Sequence, residues 1–194
     1  MDILSAAVLL LLILDPFGNL VLINTLLAPW PLRQRRWIIL REAGIAYLIL
    51  IFFLLVGNQI LSFLGIEQHT LSISGGLVLF LIALGMVFPD RSVAPTSLEV
   101  EPLIVPIAMP LIAGPSAIAA LLVLANNEPE HLGRWFLAVT LAATVATLIL
   151  GLSPPLFHRL GKRGAMAIEK LMGMLLIMLA VQMLLNGIAQ YLQD

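Results

Sequence analysis

The 194-residue chain contains no cysteine, which excludes disulfides and Cys-ligated metal sites and leaves the redox compartment open. It is also poor in charge. Asp, Glu, Lys and Arg make up 11% of residues, where soluble domains carry roughly a quarter. A net charge of −1 gives no electrostatic reason to expect a nucleic-acid partner. The start, Met1-Asp2-Ile3, has no basic region, and no small-residue cleavage site follows a short apolar core, so the first apolar segment is expected to be a retained span. Phosphate-binding loops are missing, and with them direct use of ATP. The three histidines, His69, His131 and His158, lack metal-ligand spacing, and there is no His-Glu-x-x-His. No catalytic residues, metal or cofactor are expected, and the chain reads as a non-enzyme.

Apolar residues dominate instead. They make up 61% of the chain, and mean hydropathy is +1.07. A soluble fold of this size could not hide that much apolar surface and still present a polar exterior, so the solvent must be the lipid bilayer. Stretches long enough to cross it as helix occur at Ile3–Ala28, Ile38–Leu64, Leu71–Phe88, Leu103–Ala125, Trp135–Phe157 and Leu171–Tyr191. The ten-residue alternation of a membrane β-barrel is absent. The expected fold is therefore all-α, with six transmembrane helices in a single membrane domain.

The few charges are placed unevenly. Arg33, Arg35, Arg36 and Arg41 flank the first loop, Arg91 lies in the third, and Arg159, Lys162, Arg163 and Lys170 surround the fifth. Only Arg134 falls on the other side, so nine of the ten cations share one face. The positive-inside rule makes that face cytoplasmic and puts both termini outside. Trp30, Trp37 and Trp135 stand at span ends, where interfacial aromatics are expected.

The two halves also echo one another at an offset of 97 to 99 residues. Asp15-Pro16 aligns with Gly114-Pro115, Arg36-Trp37 with Arg134-Trp135, and Gly76 and Ala83 with Gly173 and Ala180. Each half has three spans, so the second must enter from the opposite side. The expectation is an inverted repeat, residues 1–97 and 98–194, of the kind found in secondary transporters.

Both repeats break their first helix. Asp15-Pro16-Phe17-Gly18-Asn19 interrupts the first span roughly 18 Å from its outer end, near the middle of a core about 30 Å thick. Asp followed by Pro is a helix start: the carboxylate accepts from a first-turn amide, and Pro lacks an N–H that would be orphaned there. In the fourth span Pro102, Pro106 and Pro110 remove successive donors from one face, and Gly114-Pro115-Ser116 restarts a helix. Each new N-terminus offers unpaired N–H groups and partial positive charge. A proline kink repaired by neighbouring helices is the plainer alternative for either break alone. Corresponding breaks in an inverted repeat point to a substrate site. Its candidate residues are Asp15, Phe17, Gly18, Asn19, Gly114, Pro115 and Ser116. Asn24 and Thr25 read as interhelical partners, Thr140, Thr144 and Thr147 as a packing face, Gly75, Gly76 and Gly173 as close contacts, and Ser72 and Ser74 as caps.

Several of these segments are similar to the motifs of the MarC family of six-span inner-membrane proteins, in its YhgN-like branch. They are Asp15-Pro16-Phe17-Gly18-Asn19, Ser72-Ile73-Ser74-Gly75-Gly76, Glu101-Pro102, Pro106 through Pro115, and Glu169-Lys170-Leu171-Met172-Gly173. The resemblance covers nearly the whole chain and implies a bacterial inner-membrane location. It also implies transport of small neutral amino acids of the glycine or alanine type by alternating access, with a proton or sodium ion as possible coupling partner. A zwitterionic substrate suits the breaks, whose amides fit a carboxylate while Asp15 fits the ammonium or carries a coupling proton. The alternatives are an exporter of other small metabolites, or a membrane scaffold subunit that transports nothing.

Overall fold

A computed structural model describes residues 2–88 and 113–192. Pro102, Pro106, Pro110 and Arg91 lie outside the described residues. The described residues form seven α-helices, α1 (Ile3–Leu14), α2 (Asn19–Leu26), α3 (Leu32–Leu64), α4 (Gln68–Val87), α5 (Pro115–Asn127), α6 (Leu132–Gly151) and α7 (Ser153–Tyr191), and a short 3-10 helix at Pro129–His131. No strand occurs among the described residues.

Local chemistry fixes the helix ends. The Asp2 carboxylate accepts the Ser5 N–H at 3.2 Å and starts α1. Gly65, at φ 65°, ends α3 and closes it through the Ile66 N–H to Leu61 bond of 2.9 Å. The Arg35 guanidinium donates to the carbonyls of Ala28 and Trp30, each at 2.6 Å, and so satisfies the turn that follows α2.

Four helices are long and apolar enough to cross a bilayer: Leu32–Leu64, His69–Val87, Leu132–Gly151 and Arg163–Tyr191. The expected first span is not one helix but α1 and α2 with a break between them. Of the expected fourth span, the described part is α5. The fifth ends earlier than hydropathy implies. α6 stops at Gly151, and Pro154 and Pro155, both tolerated in a helix's first turn, begin α7. α7 breaks again at Gly161, whose φ of 66° and ψ of 169° are not helical.

α4 and α7 run antiparallel and form the closest seam. α1 packs on α6, α5 on α4, α2 on α7, and α3 on both α5 and α6. The core is rich in alanine: Ala138, Ala142 and Ala146 repeat along α6, facing Ala6, Ala7 and Leu10 among the same buried cluster. Without a hydrophobic drive between helices in lipid, small side chains that let backbones approach are what hold such a bundle. Large apolar side chains such as Leu48, Phe63, Leu81 and Met178 point outward, as a lipid-facing surface requires.

The α4–α7 seam is built on glycines. A Cβ on Gly76 would stand 3.0 Å from the Ala180 carbonyl oxygen, 3.1 Å from Met183 Cβ and 3.1 Å from Leu184. On Gly173 it would stand 3.1 Å from the Ala83 carbonyl oxygen, 3.0 Å from Met86 Cβ and 2.9 Å from Val87. Each member of the first set maps onto the second at an offset of 97 residues.

Other expectations need correction. Ser72 and Ser74 do not cap α4, which starts after Glu67. Ser72 donates across the seam to the Met183 carbonyl at 2.8 Å, and Ser74 to its own helix at Leu71. Trp135, in the first turn of α6, is 1% exposed and donates to the Glu128 carbonyl at 3.2 Å, while Trp37 is 60% exposed. The threonine face of α6 is satisfied by carbonyls one turn back, and Thr140 also meets Tyr47 of α3 at 3.0 Å. Asn24 reaches the Ser153 carbonyl at 3.4 Å, an interhelical bond as expected.

Candidate functional site

The first break is a single turn held by its own side chains. The Asp15 N–H closes α1 with bonds of 3.1 Å to the Leu11 and Leu12 carbonyls, and its own carbonyl accepts the Asn19 N–H at 3.1 Å. Its carboxylate accepts the Gly18 N–H at 3.0 Å. That is the bond expected of an N-cap, although the turn at Pro16–Gly18 delays α2 to Asn19. Asn19 reaches back to the Leu14 carbonyl at 3.2 Å. To make these bonds Asp15 adopts φ 43° and ψ 59°, the one positive φ among described non-glycine residues. A left-handed residue of this kind costs about 1 kcal/mol, least for Asp and Asn. Asp15 is only 5% exposed.

A Cβ on Gly18 would collide with the Asp15 carboxylate and with Met86 Cε, so a larger residue there displaces one or both side chains. Met86 also covers Gly173. One turn earlier on α7, Glu169 lies within electrostatic reach of Asp15. The end of α4 and the Glu169–Gly173 turn of α7 thus close over the first break. Phe17 is half-buried beside it.

The start of α5, where the sequence predicts the second break, is organised differently. Gly114 is the N-cap of α5, extended at φ −72° and ψ 161°, with no side-chain cap, and Pro115 occupies the first turn. Its carbonyl accepts from Ala117 at 3.0 Å and Ile118 at 3.1 Å. Gly114 and Ser116 are buried. The residues adjoining the two breaks meet: Leu14 and Ala117 line one void of about 10 Å³ with Leu10, Leu50, Leu121 and Val139.

Glu42 is a buried carboxylate that sequence reasoning passed over. It is 0% exposed, and one oxygen takes the Arg41 guanidinium at 2.8 Å while the other has no hydrogen-bond partner. Its position inside the second apolar stretch was the available signal. His69 is structural, paired with Glu67 at 3.1 Å and stacked edge-on with Tyr191. No group of three metal-ligating side chains occurs among the described residues.

Comparison with known proteins agrees with the motif resemblance. Residues 1–192 match the family described as MarC family integral membrane protein. The UPF0056 inner membrane protein YhgN of Escherichia coli (strain K12) is 44% identical over 99% of this chain and 98% of its own length. A UPF0056 membrane protein of Buchnera aphidicola subsp. Schizaphis graminum is 43% identical, covering 100% and 99%. The UPF0056 membrane protein MJ1677 of Methanocaldococcus jannaschii is 34% identical, covering 91% and 90%. No solved structure matches the chain.

Proposed function

The chain belongs to the MarC family of integral membrane proteins, and from that premise we propose that it is a secondary transporter of small neutral amino acids, glycine or alanine in kind. In this reading it is a carrier and not an enzyme. It crosses a bacterial inner membrane six times as two inverted three-helix repeats, residues 1–97 and 98–194, with both termini periplasmic. The mirrored contacts of Gly76 and Gly173 support the repeat, since a pseudo-twofold axis through the α4–α7 seam would generate them.

The observation that carries the transport reading is the buried break at Asp15, one residue from a void shared with the restart of α5. Irregular backbone at membrane depth is tolerated only inside protein or beside a water-filled cavity, and it is where discontinuous helices present charge to a substrate. The start of α5 at Gly114-Pro115-Ser116 offers a helix N-terminus without a side-chain cap, suited to a carboxylate. Asp15, with Phe17, Gly18 and Asn19 shaping its turn, offers the acceptor an ammonium group needs, or a carrier for a coupling proton.

Purified protein in proteoliposomes should take up radiolabelled glycine and alanine under a proton or sodium gradient imposed separately. Flux of neither, with intact insertion, would sink the reading and favour export of another metabolite or a scaffold role. Asp15→Asn should keep the cap and alter the pH dependence of uptake; an unchanged pH profile and rate would reduce Asp15 to a cap.

A further inference from the structure

A cavity of about 400 Å³ lies between α1, α4, α5 and α7, away from the turn at Asp15. Its walls are Leu9 and Ile13 on the second half of α1, Ser72 near the start of α4, Ala120 and Val123 on α5, and Gln182 on the C-terminal half of α7. No lining residue is charged. The α7 wall carries three amides at four-residue spacing, Gln182, Asn186 and Gln190, and the first two are bonded at 2.8 Å. Four-residue spacing puts them on one face of an otherwise apolar span. Gln182 lies about 14 Å from the end of that helix, deep enough that an amide facing hydrocarbon would be costly. Two of its lining residues lie close in sequence to the breaks. Ile13 precedes Asp15 by two residues, and Ala120 follows Ser116 by one turn. Met183 forms part of the floor, and its Cε comes within 3.3 Å of a Cβ placed on Gly75, which itself abuts Ala119.

We propose that this cavity is a water-filled entrance vestibule on the side of the membrane that bears both termini, and that it admits small uncharged or zwitterionic solutes to the breaks. This rests on the transporter reading above. Its walls offer hydrogen bonds but no counter-charge, so a solute of net charge would lose hydration there without compensation. An amino acid with an apolar or absent side chain would lose little. The polar stripe would be wasted on a lipid chain, which is the competing occupant.

The absence of native cysteine allows a direct test on the full chain in cells. Gln182→Cys and Val123→Cys, on opposite walls, should react from the periplasmic side with a membrane-impermeant cationic methanethiosulfonate. Val181→Cys, on the far face of α7 and 40% exposed toward lipid, should not. Asn186→Cys serves if a deeper variant inserts poorly. Glycine or alanine outside should slow the reaction of the Val123→Cys protein several-fold, and glutamate or lysine should not. Cysteines at 182, 186 and 123 that resist the impermeant reagent but react fully with a lipid-soluble maleimide would overturn the vestibule. Equal protection by glutamate and lysine would overturn its selectivity. Reaction without protection by any amino acid would uphold the vestibule and count against amino-acid transport.

Discussion

The break at Asp15 and the break at Gly114 occupy corresponding places in the two halves, yet their backbones are held by different means. The first is braced from within: a carboxylate on the Gly18 N–H, an amide on the Leu14 carbonyl, and a left-handed residue that makes both possible. The second begins on an extended glycine and a proline, with no side-chain cap hydrogen bond among the described residues. At the seam between α4 and α7 the halves instead agree, glycine for glycine and carbonyl for carbonyl. The two halves of the sequence share this packing contact and differ at their helix starts. One has a carboxylate on its turn, and the other has no side-chain cap hydrogen bond among the described residues.

The strongest test of the shared scheme is bulk at its two equivalent points. Gly76→Leu and Gly173→Leu each force a side chain onto a backbone carbonyl about 3 Å away. Both should abolish monodisperse folded protein on gel filtration, and the alanine versions should each lower stability by about 1–3 kcal/mol in detergent unfolding. A large loss at one position with none at the other would break the equivalence. Next in size is Gly114→Leu, expected to leave an inserted protein that no longer transports in proteoliposomes, because the side chain fills the space before the uncapped helix start. Normal uptake by that variant would move the site elsewhere.

The first break should respond in stability before transport. Asp15→Ala removes the bond to Gly18 and should cost about 1–2 kcal/mol. Asp15→Gly should cost less, since glycine takes φ 43° without strain and offsets part of the lost cap. If glycine is worse than alanine there, backbone strain is not part of the design. Asn19→Ala is the smallest change, about 0.6 kcal/mol for one interhelical-type bond inside a membrane bundle. Its melting temperature should fall by no more than a degree or two.

The break at Asp15 and the helix start at Pro115 were legible because their cause is local. Gly-Pro favours a helix start and Asp-Pro a break or turn, and an interruption in a hydrophobic run is visible without knowing what surrounds it. What surrounds it was not legible. The same Arg-Trp pair appears in each half, yet Trp37 faces outward and Trp135 is fully buried, a distinction made only by which helices pack nearby. Glu42, passed over in the sequence, is buried completely by packing while it pairs with Arg41. The fifth span overran its helix because hydropathy cannot register that Pro154-Pro155 starts a new one. The amide stripe Gln182, Asn186 and Gln190 was present as a spacing, but the cavity that gives it meaning needs four helices at once.

The length of α3 ties all of this to membrane thickness. Its 33 residues extend about 50 Å, and the apolar portion from Ile38 onward about 40 Å, against a hydrocarbon core near 30 Å. The helix must therefore lean, project its arginine-bearing end into the headgroups, or do both. Near its other end Gly57 takes the side chain of Leu122 directly against its backbone, so a change of lean is transmitted to α5. α5 begins at the second break. A thinner bilayer should increase that lean and a thicker one reduce it, with the Gly57–Leu122 contact as the point where α5 meets the change.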